Sequence, residues 1–152
     1  VYKIAAVEEK PGEFVPRIKI SENVEKITNP GLKKVYRIID EEGRAIADML
    51  AKADEVVDMS QPFRYVDPTK PWKNRYFEHC HAVELQKQII KNGELVYELP
   101  TLDEIAAYVK RQLSEEIWEE EQRFEYPHLH YLDMTPDYYE MKMQLLNDLS
   151  MK

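Results

Sequence analysis

The sequence contains few of the residues that form covalent cross-links or phosphate-binding loops. Its single cysteine, Cys80, excludes an intramolecular disulfide, and its four glycines all lie in predicted turns rather than in a glycine-rich phosphate loop. Neither a Gly-x-Ser-x-Gly nor a His-Glu-x-x-His motif occurs. A nucleophilic role for Cys80 is disfavoured, because His79 and His81 point away from its side chain if all three lie on a strand. We therefore predict no catalytic residue in this chain.

Long apolar segments are also missing. The longest uninterrupted apolar runs, such as residues 4–7, span only a few residues, whereas a membrane-crossing helix needs about 20. The first residues do not form a positively charged leader followed by an apolar core. Together with the lone cysteine, these absences predict a folded domain in the reducing cytoplasm, with no membrane partner.

Positive charge is scarce over the chain as a whole. The 152 residues carry 21 basic and 29 acidic side chains, which gives a net charge of −8, and the acidic excess falls in the second half. Affinity for nucleic acid depends on neutralising phosphates with a basic surface. We therefore expect no nucleic-acid partner.

The exception is a basic stretch at residues 17–37, which holds six basic and two acidic side chains. Its centre, Asn29-Pro30-Gly31, is typical of a tight turn, because proline presets its own φ and glycine adopts the positive φ that a type II turn needs next. One interpretation is a phosphate-binding patch beside a rigid turn. The other is a solvent-facing surface or a set of salt bridges. The candidate phosphate-binding residues are Lys19, Lys26, Lys33, Lys34 and Arg37.

The hydrophobic pattern predicts a single α+β domain, with a β-rich hairpin region at residues 1–100 and a helical region at residues 101–152 packed on it. The sheet is expected to be mostly antiparallel, with strands at residues 1–7, 14–20, 33–39, 44–50, 75–90 and 94–99. Asn92-Gly93 predicts a type I′ turn between the last two strands. A capping box at Thr101 and Glu104 starts an amphipathic helix that reaches about Phe124. A second amphipathic helix is predicted from Thr135-Pro136 to about Leu149.

All four histidines fall in two His-x-His pairs, His79 with His81 and His128 with His130. On a strand, residues i and i+2 share a face, so each pair could chelate a transition metal. The spacing matches no standard zinc finger, and the alternative is neutral imidazoles on a solvent-facing surface. We predict no metal site, and these four residues are the candidates if one exists.

The chain starts at Val1, inside a predicted strand, which leads us to expect that it is part of a longer polypeptide. Its motifs resemble the C-terminal part of bacterial nicotinate phosphoribosyltransferase. In order, these motifs are VYKIAAVE, KISENVEKITNPGLKKVYR, DEEGRAIADML, DPTKPWK, NGELVYELPTLDEI and VKRQL. The resemblance covers positions 1–118 and leaves out the segment from His79 to His81 and the residues after 118.

The resemblance implies an enzyme that joins nicotinate to the ribose of phosphoribosyl pyrophosphate, with ATP hydrolysis and magnesium, to give nicotinate mononucleotide in NAD biosynthesis. It also implies an upstream α/β barrel, a flanking domain that contains this chain, and a homodimer. The histidine that becomes phosphorylated in this family lies in the barrel, so the resemblance assigns no catalytic residue here. The segment alone is expected to be structural, interface-forming and inactive, with no cofactor of its own. The alternative is a free-standing α+β module that binds a metal ion or an anionic metabolite.

Overall fold

A four-stranded sheet separates the two apolar layers of the protein. The computed structural model describes residues 3–23 and 26–150. The strands are β1 (Ala6–Lys10), β2 (Glu13–Pro16), β3 (Lys33–Asp40), β4 (Ala45–Lys52), β5 (Phe63–Tyr65), β6 (Arg75–Phe77), β7 (Cys80–Glu84), β8 (Ile90–Lys91), β9 (Glu94–Leu95) and β10 (Leu132–Met134). The helices are α1 (Leu102–Arg111), a π-helical turn (Gln112–Glu116), a 3-10 helix (Glu119–Gln122) and α2 (Pro136–Ser150). The central sheet has the order β10-β4-β3-β7, in which β10 is parallel to β4 and the other pairs are antiparallel.

The β3–β4 hairpin supplies the two inner strands of this sheet. Its turn closes because Asp40 Oδ1 accepts hydrogen bonds from the backbone amides of Glu42 and Arg44, at 3.0 and 2.8 Å. Gly43 has a φ of 83°, which glycine adopts without steric cost. Side chains alternate along both strands, so the hairpin contributes apolar residues to each face of the sheet.

The first face packs against the β5–β6 hairpin. Ile38, Ala47 and Met49 are almost fully buried there against Phe77. The ring of Tyr65 stacks on Phe77 with the ring centroids 3.9 Å apart. This layer therefore fixes the β5–β6 hairpin against β3 and β4.

The second face is covered by α2, whose fully buried Tyr138 packs with Leu50 and Met134. Thr135 Oγ1 caps this helix by accepting a hydrogen bond from the Tyr138 amide at 3.2 Å. The Tyr138 hydroxyl donates to the carbonyl of Pro30 at 2.7 Å. The helix thus holds the Asn29-Pro30-Gly31 turn against the sheet.

The α+β class, the mostly antiparallel sheets and the presence of two helices are confirmed. Asn92 and Gly93 both have positive φ, 51° and 82°, as the predicted turn requires. The capping box is also present, because the Thr101 amide donates to Glu104 Oε2 at 2.7 Å and the Glu104 amide donates to Thr101 Oγ1 at 3.3 Å. The second helix begins at Pro136, as predicted.

The predicted end of the first helix is wrong. The continuous helix stops at the π-helical turn, because Ile117 is extended, with φ −87° and ψ 131°, and only the separate 3-10 helix follows. After the extended residue, the Trp118 ring lies 5.7 Å from the guanidinium of Arg44 in a cation–π contact. Phe124 is fully exposed, so the apolar repeat beyond Ile117 has no surface to pack on. Within residues 3–23 and 26–150, the structure has no helix that is long and apolar enough to cross a membrane.

The boundaries of several strands also differ from the prediction. The longest predicted strand divides into β6 and β7, because His79 between them has a φ of 53°. The second predicted strand stops at Pro16, which has no N–H to extend the ladder. The first strand begins at Ala6, and the predicted start at Val1 lies outside the described residues. Strand β10 was not predicted.

We expect Tyr138→Phe to lower the free energy of unfolding by about 1–2 kcal/mol, because the buried Pro30 carbonyl loses its donor. Urea denaturation of the purified chain measures this change. Tyr139→Phe is the matched control, since the described residues include no hydrogen-bond partner for that hydroxyl. Equal losses in the two variants would contradict the role of the hydrogen bond.

Candidate functional site

The basic stretch does not form a continuous patch. The side chains of Lys19 and Lys26 are exposed, whereas Lys33 and Lys34 lie on opposite faces of β3 and are half-buried. Lys33 Nζ donates to the carbonyl of Gly31 at 3.2 Å, and burial lowers the pKa of this lysine. Lys34 Nζ lies 4.0 Å from a carboxylate oxygen of Glu84. Lys33 and Arg37 therefore lie on the same face of β3, and Lys34 lies on the other face.

Arg37 is the most strongly held residue of this group. Its guanidinium donates to both carboxylate oxygens of Asp48, at 3.0 and 3.3 Å, and to Gln112 Oε1 at 3.2 Å. The hydrogen bonds to Asp48 raise the pKa of Arg37 above its usual range. The side chain is only 16% exposed. Arg37 thus links β3, β4 and the π-helical turn, and its phosphate-binding role stays a prediction.

The histidines do not form the paired geometry from which the metal candidates were inferred. His79 lies outside β7 in the left-handed region, 3.9 Å from Glu41, while His81 lies within β7. His128 contacts the Tyr131 ring edge-on, with the ring centroids 5.9 Å apart. In the part of the chain that the structure describes, no group of three or more histidine, cysteine, aspartate or glutamate residues could hold a metal ion.

The ring of His130 lies between two carboxylates. Its Nδ1 is 3.2 Å from both carboxylate oxygens of Glu121, and its Nε2 is 3.3 Å from Asp48 Oδ1. Asp48 is the carboxylate that also holds Arg37. These side-chain contacts join β3 and β4 to the 3-10 helix. They therefore fix the segment between α1 and β10 onto the second face of the sheet.

A cleft of about 370 Å³ opens on the first face, between the β5–β6 hairpin and β10. Its polar and aromatic lining consists of Tyr65, Arg75, Tyr76, Phe77, Glu78, Tyr131 and Asp133. The first five residues come from the β5–β6 hairpin or the residue after it, and the last two come from β10 and the residue before it. The cleft therefore depends on a pairing between distant parts of the chain, in which Val66 and Met134 exchange backbone hydrogen bonds of 2.8 and 3.0 Å.

Asp133 is the unusual group in this cleft. The residue is 4% exposed, and no hydrogen bond or ion pair from the described residues reaches its carboxylate. Burial and the nearby Asp67 raise its pKa to about 6, although Arg75 opposes this shift. Burial without a hydrogen-bond donor disfavours the ionised form of Asp133, so this carboxylate is ionised mainly above about pH 6.

Asp67 is the second buried carboxylate, at 3% exposure. Its Oδ1 accepts hydrogen bonds from the amide and the hydroxyl of Thr69, at 2.8 and 2.6 Å. Its Oδ2 is buried without a hydrogen bond and lies 3.8 Å from a guanidinium nitrogen of Arg75. Burial opposes ionisation of Asp67, but the Thr69 hydrogen bonds and the charges of Arg75 and Lys70 outweigh it and lower the pKa.

The sequence analysis did not identify Asp133. A carboxylate between Leu132 and Met134 has the apolar–acid–apolar pattern of a short strand, and Thr135 immediately afterwards caps a helix. That pattern is a usable signal for a strand of three residues, but it does not say which face the acid occupies. Asp67 lies in the DPTKPWK motif, whose turn residues indicated a loop and gave no indication of burial.

We expect Asp133→Asn to stabilise the chain at pH 7.5 by up to about 3 kcal/mol, the value of a pKa raised from 3.8 to about 6. The pKa of Asp133 is higher in the folded state than in the unfolded state. Its protonated form therefore costs the fold nothing below pH 3.8, and the free energy of unfolding falls as the pH rises through 6 and the acid ionises. The gain should therefore be close to zero at pH 4. Urea unfolding at both pH values measures it, with the exposed Asp54→Asn as control. A gain of the same size at both pH values would contradict the prediction.

Comparison with known proteins places this geometry in a family. The model of the nicotinate phosphoribosyltransferase C-terminal domain matches residues 32–142. The chain is 36% identical over 150 residues to nicotinate phosphoribosyltransferase of Bacillus subtilis, covering 98% of this chain and 30% of that protein. It is 32% identical over 139 residues to nicotinate phosphoribosyltransferase of Caenorhabditis elegans, covering 90% of this chain and 22% of that protein. The chain thus spans less than a third of the length of these relatives.

A solved structure shares the fold. The crystal structure of human nicotinic acid phosphoribosyltransferase aligns with a TM-score of 0.72 and 23% sequence identity, covering 77% of this chain and 23% of the human chain. At that identity the match establishes the fold alone, whereas the family model and the bacterial relative establish descent. The resemblance inferred from the motifs is confirmed. This chain belongs to the nicotinate phosphoribosyltransferase C-terminal domain family.

Proposed function

We propose that this chain serves as the C-terminal domain of a cytoplasmic enzyme that joins nicotinate to phosphoribosyl pyrophosphate and forms nicotinate mononucleotide for NAD biosynthesis. The proposal of this reaction is supported by the bacterial and nematode relatives, which are both named nicotinate phosphoribosyltransferase. In this proposal ATP hydrolysis, magnesium and the catalytic residues belong to an upstream α/β barrel, and the enzyme works as a homodimer. The domain contributes structure and an interface.

Within this domain, we propose that residues 1–100 and 101–152 act as one unit. Two observations support the proposal. Strand β10, from the second region, pairs with β4 of the first, and α2 covers the sheet face that contains Leu50. Separation of the two regions would therefore open a sheet edge and expose a buried face.

The observation that carries the interface proposal is the apolar side of α1. Its large apolar residues recur at helical spacing, but none of the residues of this helix is buried. The exposed fractions are 84% for Leu102, 44% for Ile105, 48% for Tyr108 and 47% for Val109. An isolated helix of ten residues gains little from intrinsic propensity, so its apolar side needs a partner surface.

The β8–β9 hairpin extends this surface. Ile90 and Leu95 are 63% and 61% exposed, and residues 96–101, which include the 66% exposed Leu99, connect this hairpin to α1. Several large exposed apolar side chains in one part of a chain are typical of a site of interaction. Relatives contain more than twice as much chain outside the matched part as within it, so we propose that this remainder covers α1 and the hairpin.

The test compares Ile105→Ser/Val109→Ser in the isolated 152-residue chain and in the natural polypeptide that carries it. Both side chains are nearly half exposed in the isolated chain, so the double variant should change its free energy of unfolding by less than about 1 kcal/mol. In the natural protein, the same change should lower the melting temperature and reduce formation of nicotinate mononucleotide from nicotinate and phosphoribosyl pyrophosphate. Calorimetry and a product assay measure these effects.

The control is Lys110→Ser, on the polar side of α1, which should leave both proteins unchanged. The isolated chain should form no nicotinate mononucleotide. Turnover by the isolated chain, or a natural polypeptide of only about this length, would contradict the interface proposal. A natural protein without the activity would contradict the proposed reaction.

We also propose that part of the basic stretch faces the phosphate groups of the substrates in the complete enzyme. Two of these lysines, Lys19 and Lys26, have exposed side chains, and Lys34 lies 4.0 Å from a carboxylate oxygen of Glu84. This arrangement supports attraction of phosphate by positive charge rather than binding in a preformed pocket. We expect Lys33→Ala/Lys34→Ala in the natural protein to raise the KM for phosphoribosyl pyrophosphate or ATP several-fold, because a positive field attracts both. Steady-state kinetics measure this, and unchanged KM values for both substrates would exclude the role of these two lysines.

A further inference from the structure

The cleft on the first face of the sheet contains an uncompensated negative charge. Asp133 lines the cleft, is 96% removed from solvent, and receives no hydrogen bond or ion pair from residues 3–23 and 26–150. Folded proteins pair their buried carboxylates or bind a cation to them, because an unpaired buried charge is costly. This carboxylate of the cleft lining is therefore available to a cationic ligand.

The arginine of the cleft does not pair with this carboxylate. A guanidinium nitrogen of Arg75 lies 3.8 Å from Asp67 Oδ2, and Arg75 forms no ion pair with Asp133 within the described chain. Glu78 is the second carboxylate of the lining, beside Asp133. Two carboxylates against one guanidinium leave the lining with an excess of one negative charge when all groups are ionised. The charge of the lining therefore favours a cationic ligand over an anionic one.

The remaining lining is aromatic and aliphatic, since Ile46, Ala47 and Phe77 lie beside three tyrosines, and this favours an organic cation. Tyr65, Tyr76 and Tyr131 line the cleft, and the last two are 52% and 43% exposed. Aromatic rings attract weakly hydrated organic cations through their negative faces. A metal ion would need more ligands than this cleft offers, since no group of three metal-binding side chains occurs in the described residues. The volume of about 370 Å³ is sufficient for a small organic group.

We infer that this cleft binds an organic cation, an ammonium or guanidinium group, with Asp133 as its counter-ion and the tyrosines as its walls. The group belongs either to a free small molecule or to a lysine or arginine of the remaining polypeptide. Both sources present the same chemistry to Asp133. The inference goes beyond the proposed enzyme function, and its failure would leave that function untouched because the test measures binding and not activity.

The test titrates the isotopically labelled chain with methylguanidinium chloride at pH 7.5 and follows the signals of the cleft tyrosines by NMR. We expect saturable shifts with a dissociation constant in the millimolar range, and no saturable shifts with sodium chloride at the same ionic strength. Asp133→Asn should weaken binding at least tenfold. This variant is expected to fold, since it removes a charge that opposes folding.

Two further variants sharpen the result. Tyr76→Ala, at a half-exposed ring, should weaken binding several-fold without unfolding the chain. Asp54→Asn, an exposed acid outside the lining, should leave binding unchanged. Absence of saturation, equal shifts with sodium chloride, or unchanged affinity of Asp133→Asn would each overturn the inference.

The same titration of the natural protein identifies the source of the cation. Binding of methylguanidinium to both proteins shows that a free molecule can reach the cleft. Binding to the isolated chain alone shows that a basic side chain of the remaining polypeptide occupies it. Both results support the cation site.

Discussion

The hydrogen bond from the Tyr138 hydroxyl to the Pro30 carbonyl holds together parts of the fold that are more than a hundred residues apart in sequence. It fixes the turn before β3 beneath the helix that ends the chain. Gly31 is required at this contact, because its φ is 84° and a Cβ there would lie 3.3 Å from Met141 Cε. The Gly31 amide in turn donates to the carbonyl of Ala5 at 2.7 Å. The β1–β2 hairpin, the turn and α2 therefore depend on one another.

Local chemistry made much of this fold predictable. The β3–β4 turn, the Asn92-Gly93 turn and the Thr101 capping box involve residues within four positions of one another, so their partners can be read from spacing. Strand β10 could not be found this way, because it has three residues and gains its stability from parallel pairing with β4. Likewise, the first helix ends where Trp118 meets Arg44, a contact between residues that are 74 positions apart.

The candidate sites show the same division. The sequence singled out Arg37 as part of a basic stretch, but it could not show that both carboxylate oxygens of Asp48, on the next strand, accept hydrogen bonds from its guanidinium. It singled out His130 as one of a pair, whereas the structure gives it two carboxylate neighbours from other elements. Asp133 was missed because its significance lies in burial without a donor, and burial on a three-residue strand leaves no periodicity to detect.

The two helices differ in burial: α2 packs in the core through Tyr138, whereas the apolar side of α1 is exposed. Tyr138 places α2 in the core, where burial supports its conformation. In contrast, α1 begins with a complete capping box but buries none of its residues. Caps stabilise a helix by about 1 kcal/mol, which is less than the cost of exposing several large apolar side chains. The exposed apolar residues of α1 are the ones that the proposed interface would cover, and in that proposal α1 and the β8–β9 hairpin become more rigid when the partner surface is present.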